Sequence, residues 1–361
     1  MKPEEMQKER TAGVAAAEGT AAGRREAEVG KAGCGAGEAG RSEAKVGEVA
    51  QVGKTGKTGK TGKAGCGAGE AGRSEAEVGE VARLGRKAHR RLRRGEVLPG
   101  TAWALVSGAG SGIGRCYARR LAALGYNLVL VGNNLQPLEA VRAEIAAEHP
   151  QCDIRLVECD LARTEAAREL HDRTQADGLE IDVLINNAGM FSFRDILRTP
   201  EERIERIILL HDLTNTQLCR LYAAEMARRG RGGYILNMSS YSQWMPFPGL
   251  ALYAASKAYL RTFSVAFAKE VREVGIRVTA VSPAGVATDL YGLTPYWQRI
   301  GVRLGVLITA DRCARKGLRA LWRGRRSIVP DWWNRTWIPL CKILPMWILR
   351  PVRRFTMQFQ K

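Results

Sequence analysis

Residues 102–132, AWALVSGAGSGIGRCYARRLAALGYNLVLVG, decide the fold. An apolar run at 102–107 predicts a short strand, and a glycine-rich turn from Gly108 to Gly114 follows it. The run RCYARRLAALG then predicts a helix, and YNLVLV at 126–131 predicts a second strand. A strand, a glycine-rich turn, a helix and a strand within about 30 residues form the unit from which α/β domains with parallel sheets are built.

The three glycines of this turn suit a dinucleotide phosphate site. Gly108 permits a tight turn, Gly112 lets the backbone approach a diphosphate, and Gly114 lets the helix pack closely on the sheet. The helix that follows presents free N–H groups to an anion at its N-terminus. A single glycine motif is a weak signal, so its meaning depends on the motifs downstream.

Four motifs, in order along residues of about 105–290, resemble those of one enzyme family. Ser107 with GAGSGIG resembles the TGxxxGIG fingerprint of classical short-chain dehydrogenases/reductases, with serine in place of threonine. The other three matches are Cys159-Asp160-Leu161 after a third predicted strand, Asn186-Asn187-Ala188-Gly189 after IDVLI, and Ser240, Tyr253 and Lys257 in the spacing S-x12-Y-x3-K. The chain is therefore identified as a member of this family.

The resemblance implies an α/β fold: a single Rossmann-fold domain with a doubly wound, seven-stranded parallel sheet and helices on both faces. It also implies a nicotinamide dinucleotide at the carboxyl ends of the strands, with Asp160 against adenine and Thr288 against the nicotinamide amide. The implied coenzyme-binding residues are Ser107, Gly108, Ser111, Gly112, Ile113, Gly114, Asn133, Asp160, Leu161, Asn187, Ala188, Gly189, Tyr253, Lys257, Pro283, Gly285, Val286 and Thr288. Ala284 departs from the family's PG-x-V-x-T pattern, because it stands where the first glycine is usual.

The end of the second strand favours NADP(H) over NAD(H). An acidic residue there binds the ribose 2′-hydroxyl of NAD(H) and would repel a 2′-phosphate. The strand ends in Val131-Gly132-Asn133-Asn134 without a carboxylate, and the arginine that many NADP-using relatives place at Asn133 is also missing. Arg115 is a candidate cation for the 2′-phosphate, and a surface role on its helix is the alternative.

Tyr253 and Lys257 are the predicted acid–base pair. They lie four residues apart in a predicted long helix, YAASKAYLRTFSVAFAKEV, and therefore share one face. A nearby ammonium lowers the pKa of a phenol, so Tyr253 can exchange a proton with a carbonyl or alcohol oxygen. Ser240 would polarise that oxygen. Ser239 is its neighbour, but the 13-residue step to Tyr253 selects Ser240. By resemblance, Lys257 would also hold the nicotinamide ribose.

The fourth catalytic position departs from the family. The family has Asn in a string like NLTGT, where it helps to hold a water that links the lysine to solvent. The matching string here is Asp212-Leu-Thr-Asn-Thr216, so Asp212 occupies that position and Asn215 stands where the family has glycine. We expect Asp212 to fill the role and to raise the pKa of Lys257, which would weaken the lysine's effect on Tyr253. Asn215 and His211 are the alternatives.

Residues 289–305 (DLYGLTPYWQRIGVRLG) lie where the family has its variable substrate lid. Tyr291, Leu293, Tyr296 and Trp297 make this segment apolar and aromatic, which suits a hydrophobic small-molecule substrate. Packing of these side chains in the core is the alternative. The downstream chain looks similar to the hydroxysteroid dehydrogenase and 3-oxoacyl reductase branches, so steroid-like and 3-oxoacyl substrates are favoured.

The first 100 residues are expected to be a disordered, low-complexity tail. They hold 21 of the 40 glycines and none of the 24 aromatic residues, so they lack the apolar surface that offsets ordering entropy. A 20-residue segment is duplicated within them, at 31–50 and 63–82, with one difference. The predicted organisation is a tail over 1–100, the Rossmann domain over 101–330, and an extension over 331–361.

The extension is basic and rich in tryptophan. Residues 312–361 carry 12 of the 19 net positive charges, and residues 322–361 hold five of the eight tryptophans. This composition predicts either a peripheral membrane contact or a segment docked over the substrate pocket or a subunit interface. The stretch is too short and interrupted to span a bilayer, and no secretory signal is evident, so a cytoplasmic location is expected.

Scattered cysteines and four histidines show no metal-ligand spacing. We therefore expect no metal, a reducing environment, and histidines that are structural or exposed. No nucleic-acid partner is expected, although the basic run at 83–94 keeps that alternative open. By resemblance, the protein is expected to form a homodimer or homotetramer. The predicted function is NAD(P)-dependent oxidoreduction at a carbonyl/alcohol carbon, and the alternative is a cofactor-binding sensor or scaffold without turnover.

Overall fold

The computed structural model describes residues 100–245, 247–288, 294–331, 334 and 336. The predicted tail, except its last residue Gly100, lies outside these residues, and so does most of the predicted extension. None of the helices in the described part of the chain has both the length and the apolar character that crossing a bilayer requires.

Seven parallel strands form the central sheet. Its order is β3-β2-β1-β4-β5-β6-β9, and the strands are β1 (Trp103–Ser107), β2 (Asn127–Gly132), β3 (Ile154–Glu158), β4 (Ile181–Asn186), β5 (Gly233–Met238), β6 (Ile276–Val281) and β9 (Ser327–Ile328). The chain runs outward from β1 to β3, then crosses back to β4 and runs outward in the other direction. The predicted doubly wound, seven-stranded parallel sheet is confirmed.

Helices cover both faces of this sheet. They are α1 (Gly112–Ala123), α2 (Leu135–Glu148), α3 (Ala166–Ala176), α4 (Glu201–Ile208), α5 (Asn215–Arg229), α6 (Ala251–Glu270), α7 (Pro295–Arg303) and α8 (Ala310–Trp322). Side chains of α1, α2 and α8 form one apolar core, and those of α3, α5 and α6 contribute to the other. Strand β1 alternates between them, with Val106 in the first core and Leu105 in the second.

Two local features are absent from the sequence predictions. A π-helical stretch, Leu209–Thr214, joins α4 to α5, and it carries His211 and Asp212. A small parallel sheet pairs β7 (Gly285–Ala287) with β8 (Leu307–Thr309), next to the predicted nicotinamide end of the site. The predicted long helix is present as α6, and it begins two residues before Tyr253.

Hydrogen bonds join the ends of β1 and β4, where the chain changes direction. The Ser107 hydroxyl donates to Ile185 O (3.3 Å) and accepts from the backbone N–H groups of Asn187 and Ala188, both at 3.0 Å. The Asn187 side chain donates back to Ser107 O (3.0 Å) and Gly108 O (3.2 Å). These bonds hold the glycine-rich turn against the loop after β4, and together the two segments form one wall of a crevice.

Replacing Ser107 with alanine tests this connection. Ser107 is buried, and Ser107→Ala removes the acceptor of the Ala188 N–H and one of the two acceptors of the Asn187 N–H, whose other acceptor is Ile185 O. The variant should therefore have a free energy of unfolding lower by about 1–2 kcal/mol. Urea unfolding measures the change. Ser107→Thr keeps the hydroxyl and is the matched control, with a smaller expected loss. Equal stability of the alanine variant and the natural protein would contradict the role of these bonds.

Candidate active site

The glycine-rich turn has the backbone shape that a diphosphate requires. Gly108 and Gly112 adopt left-handed conformations, with φ of 62° and 53°. A Cβ at Gly114 would overlap the carbonyl oxygen of Gly108, so glycine is needed there for close packing of α1. Because Gly108 and Gly112 have no side chains, a ligand in the cavity can contact their backbone directly.

The N-terminus of α1 is uncapped. Ser111 occupies the N-cap position in an extended conformation, but its side chain makes no capping hydrogen bond, and the first turn contains no acidic residue. The first N–H groups of a helix need partners, and together with the helix dipole they favour an anion. The turn and the helix start therefore fit the diphosphate of a dinucleotide.

A cavity of about 730 Å³ runs along the carboxyl ends of the strands. The predicted residues that line it are Gly108, Ser111, Gly112, Ile113, Asn133, Asp160, Leu161, Asn187, Ala188, Gly189, Ser240, Tyr253, Lys257, Pro283, Val286 and Thr288. Four predicted site residues do not line it, namely Ser107, Gly114, Asp212 and Gly285. Ser107 and Gly114 instead hold the turn in shape, and a Cβ at Gly285 would collide with Leu307.

The predicted acid–base residues both lie on α6, against the end of β5. Tyr253 and Lys257 lie on the first turns of α6, and the ammonium nitrogen is 5.7 Å from the centre of the tyrosine ring. Lys257 Nζ also donates to Met238 O at the end of β5 (3.1 Å). Both side chains are buried among the residues that line the cavity. The Phe191 ring packs edge-on against Tyr253, with centroids 5.1 Å apart.

Ser239 and Ser240 have different environments. Ser239 Oγ donates to the backbone carbonyl of Lys257 (2.6 Å), which ties the end of β5 to α6. Ser240 Oγ accepts from the backbone N–H of Ser242 (3.2 Å), and this bond orients its hydroxyl while leaving its proton to donate. The geometry therefore supports Ser240 as the group that contacts a substrate oxygen.

Burial dominates the electrostatics of Lys257. It lowers the pKa of Lys257 from its usual 10.5 to about 8, against the opposing effect of the Asp212 carboxylate. Burial likewise raises the pKa of Asp212 to about 6, and the lysine charge opposes that rise. The expected rise in the pKa of Lys257 is thus outweighed, and both groups are charged at neutral pH.

The three candidates for the fourth catalytic position occupy distinct places. Asp212 interacts electrostatically with Lys257, and its Oδ1 is buried without a hydrogen-bond partner among the described residues. Asn215 is committed elsewhere, because its Nδ2 donates to the carbonyls of Leu210 and His211, both at 2.9 Å, within the π-helical stretch. His211 lies beside Tyr253, and both of its ring nitrogens have protein partners. Of the three, Asp212 is best placed to hold a water.

Arginines at the cavity wall are paired with glutamates. Arg115 and Arg119 both line the cavity, and both contact Glu144 on α2. Arg119 also reaches Glu148 (2.6 Å). Asn133 is exposed at the end of β2. Arg119 was not among the predicted residues, although its position one helical turn after Arg115 was a usable signal.

Arg206 on α4 is another lining residue that the sequence did not reveal. It donates to Asp160 Oδ2 (3.0 Å), while Asp160 Oδ1 accepts from the backbone N–H of Ala162 (3.0 Å). The carboxylate predicted to face adenine is thus fixed in direction by an arginine 46 residues away. Nothing in the local sequence signals that pairing.

The predicted lid is partly described. Tyr291 and Leu293 lie outside the described residues, whereas α7 contains Tyr296 and Trp297, which are 59% and 58% exposed. The alternative prediction, that these two side chains pack in the core, is therefore wrong. Gln298 lines the cavity, and its Nε2 donates to Thr288 O (3.4 Å), which connects α7 to the predicted nicotinamide end.

Comparison with known proteins agrees with this geometry. The sequence profile of the family described as short chain dehydrogenase matches residues 102–298. The chain belongs to the short-chain dehydrogenase family. The matched segment contains strands β1 to β6. It also contains every residue that lines the cavity except Ala310 on α8.

The names of individual relatives indicate different substrates. Mouse 17-beta-hydroxysteroid dehydrogenase type 3 is 34% identical over 228 residues, which cover 62% of this chain and 70% of the relative. A very-long-chain 3-oxoacyl-CoA reductase from Pyrenophora tritici-repentis is 33% identical over 195 residues, 53% of this chain and 57% of that protein. The chain thus spans little more than half the length of the second relative.

Solved structures give the same fold. A short-chain dehydrogenase from Sphingobium yanoikuyae in complex with NADPH superimposes with a TM-score of 0.58 at 29% identity, over 71% of this chain and 95% of that one. The resemblance to the hydroxysteroid dehydrogenase and 3-oxoacyl reductase branches is therefore confirmed at the level of sequence similarity.

Burial of the charged Lys257 side chain should lower the free energy of unfolding. Because the pKa of Lys257 in the folded protein is about 8, below its usual 10.5, the cost is fully present below pH 8 and disappears as the pH rises to 10.5. Lys257→Met removes the titrating group, so the melting temperature of the natural protein relative to that of this variant should be higher at pH 10 than at pH 7.

Thermal unfolding at the two pH values measures this effect. Lys269→Met, at the exposed end of the same helix, is the matched control and should change the melting temperature little at either pH. A melting temperature of the natural protein that does not rise relative to that of Lys257→Met between pH 7 and pH 10 would contradict the lowered pKa of Lys257.

Proposed function

We propose that the protein is an NAD(P)-dependent oxidoreductase that transfers a hydride between nicotinamide and a carbonyl or alcohol carbon of a hydrophobic substrate. One observation carries this proposal: a single cavity is lined both by the uncapped glycine-rich turn and by Ser240, Tyr253 and Lys257. A phosphate-binding backbone and an acid–base group thus face the same space. Membership of the short-chain dehydrogenase family supports the same chemistry.

Different residues of the cavity would hold different parts of the coenzyme. Ser111, Gly112 and Ile113 would hold the diphosphate, Asp160 and Leu161 the adenine end, and Val286 and Thr288 the nicotinamide end. When bound, the coenzyme supplies or accepts the hydride at the substrate carbon.

Proton transfer falls to this chain's own side chains. Tyr253 donates its phenolic proton to the substrate oxygen in reduction and removes the alcohol proton in oxidation. The ammonium of Lys257 favours the phenolate, and burial strengthens that effect because water screens it less. Ser240, oriented by its bond from Ser242, donates to the substrate oxygen. The Asp212 carboxylate opposes the lowering of the Lys257 pKa by burial and so favours the charged lysine.

Within this function, we assign NADP(H) as the preferred coenzyme. The end of β2 continues into Asn133, so the position where an acidic residue would repel a 2′-phosphate carries no charge. Arg115 and Arg119 add positive charge to the wall, in part compensated by Glu144 and Glu148. The Sphingobium yanoikuyae relative, whose structure holds NADPH, supports the assignment.

The substrate is proposed to be steroid-like or 3-oxoacyl in character. The exposed rings of Tyr296 and Trp297 on α7 directly precede Gln298, which lines the cavity, and would give such a molecule an apolar surface beside it. The mouse and Pyrenophora relatives act, by name, on a 17-beta-hydroxysteroid and a very-long-chain 3-oxoacyl-CoA. We further propose that the protein is a homo-oligomer, with the aromatic stripe of Tyr259, Phe263 and Phe267 on α6 as its contact.

Replacing Tyr253 with phenylalanine tests the proposed function. The natural protein should oxidise NADPH, measured by absorbance at 340 nm, in the presence of a panel of lipophilic ketones. Tyr253→Phe should lower kcat by about 100-fold or more because the proton donor is lost. It should bind NADPH with unchanged affinity, since it keeps the ring that packs against Phe191.

Tyr259→Phe is the matched control, because it removes a hydroxyl six residues further along α6, where the side chain is 43% exposed, and keeps the ring. Tight NADPH binding without turnover of any ketone would instead favour the cofactor-binding sensor.

A charge at the end of β2 tests the coenzyme assignment. Asn133→Asp should lower kcat/KM for NADPH by about tenfold relative to NADH, because the new carboxylate repels the 2′-phosphate. Asn133→Ala removes the amide without adding charge, so it should change the ratio much less. Initial rates with both coenzymes give the ratio. A natural protein that prefers NADH, or an unchanged ratio in Asn133→Asp, would contradict NADP(H) as the coenzyme.

A further inference from the structure

His211 lies inside the site, in the π-helical stretch, and is completely buried. Its Nε2 accepts a hydrogen bond from the backbone N–H of Met190 (3.0 Å), in the loop after β4. Its Nδ1 lies 2.9 Å from Ser256 Oγ on α6, and that hydroxyl also bonds the backbone carbonyl of Tyr253 (3.0 Å). One imidazole therefore contacts both the loop that lines the coenzyme cavity and the helix that carries the acid–base pair.

These contacts dictate the protonation of the ring. The Met190 N–H is a donor, so Nε2 must be without a proton. A neutral imidazole then carries its proton on Nδ1 and donates it to Ser256 Oγ, whose own proton goes to Tyr253 O. A doubly protonated ring would lose the bond from Met190, because Nε2 would become a second donor. The connection therefore needs the neutral form.

The surroundings of the ring keep it neutral. Lys257 and Tyr253 face it from α6, and Asp212 is its neighbour in the chain. Burial, and then the charge of Lys257, lower the pKa of His211 well below its usual range. Gly189 lies between the two groups: a Cβ there would be 3.1 Å from His211 Nε2 and 3.3 Å from Lys257 Nζ. The tyrosine ring packs edge-on against the imidazole, with centroids 5.8 Å apart.

We propose that His211 is a positioning residue, which fixes Tyr253 relative to the 187–190 loop through a neutral imidazole bonded to Met190 and Ser256. This deepens the proposed function, and its kinetic consequence rests on that function. The imidazole cannot relay protons to solvent in this arrangement, because both nitrogens are used by the protein. Its effect reaches the reaction through the placement of Tyr253, where small displacements are costly.

Two substitutions separate positioning from general stability. His211→Leu removes both hydrogen bonds and should lower kcat by about tenfold or more at a temperature where the variant is folded. The Kd of NADPH should change far less, because Asn187 still anchors the loop to β1. His211→Gln offers an acceptor and a donor on one side chain and should restore much of the lost kcat.

Thr174→Val is the stability control. Thr174 is buried and its hydroxyl bonds Tyr222 (2.9 Å) on the face of the sheet that carries α3, so its loss lowers stability without touching the site. This variant should keep its kcat. A His211→Leu variant with a kcat close to that of the natural protein would overturn the proposal. So would a His211→Gln variant with no more activity than the leucine variant.

Nitrogen NMR of the imidazole tests the geometry without any turnover, so it stands even if the proposed substrate class is wrong. In protein labelled with 15N-histidine, the signal absent from His211→Gln identifies the ring. We expect a neutral ring protonated on Nδ1, unchanged as the pH falls to about 5.5, where an ordinary histidine is mostly charged. Protonation of the ring above that pH, or a proton on Nε2, would overturn the proposal.

Discussion

The site depends on the hydrogen bonds that join the ends of β1 and β4. At this point the strand order reverses, so the segments after the two strands leave in different directions and open a crevice. Their backbone groups need partners, and Ser107 and Asn187 supply them from within the protein. The N–H groups at the start of α1 are left for a ligand. These hydrogen bonds thus connect β1 to β4 without using the N–H groups at the start of α1, which can bind a phosphate.

Features that short sequence segments encode were predictable. A positive φ at Gly108 and Gly112 is a local requirement, and the i, i+4 spacing of Tyr253 and Lys257 places them on one helix face wherever that helix lies. Apolar runs that end in these motifs are enough to place most strands of the sheet. The choice of Ser240 over Ser239 came from the S-x12-Y-x3-K spacing of the family that the sequence resembles. The structure adds a physical argument for it, because the Ser239 hydroxyl is bonded to the backbone of α6.

Features that depend on long-range contacts were not predictable. His211 was predicted to be structural or exposed, or an alternative for the fourth catalytic position. Its bonds to Met190 and Ser256 were not predicted, because those partners lie 21 and 45 residues away. The π-helical stretch that turns it inward is held by Asn215, whose side chain satisfies carbonyls that the wider turn frees. Ser107 was expected to touch the coenzyme, and instead it is buried behind the cavity. A motif identifies which residues matter, but only the packing decides whether each faces the ligand or the framework.

The substitution of aspartate for the family's asparagine can be understood from the burial of Lys257. A fully buried ammonium loses its hydration, and its direct partner among the described residues is one backbone carbonyl, that of Met238. A neutral side chain at 212 would leave burial unopposed and would move the pKa of Lys257 further below 8. The Asp212 carboxylate opposes that movement, and its own pKa of about 6 leaves it charged at neutral pH. The aspartate therefore helps the buried Lys257 to stay charged, which is the state in which the lysine favours the phenolate of Tyr253.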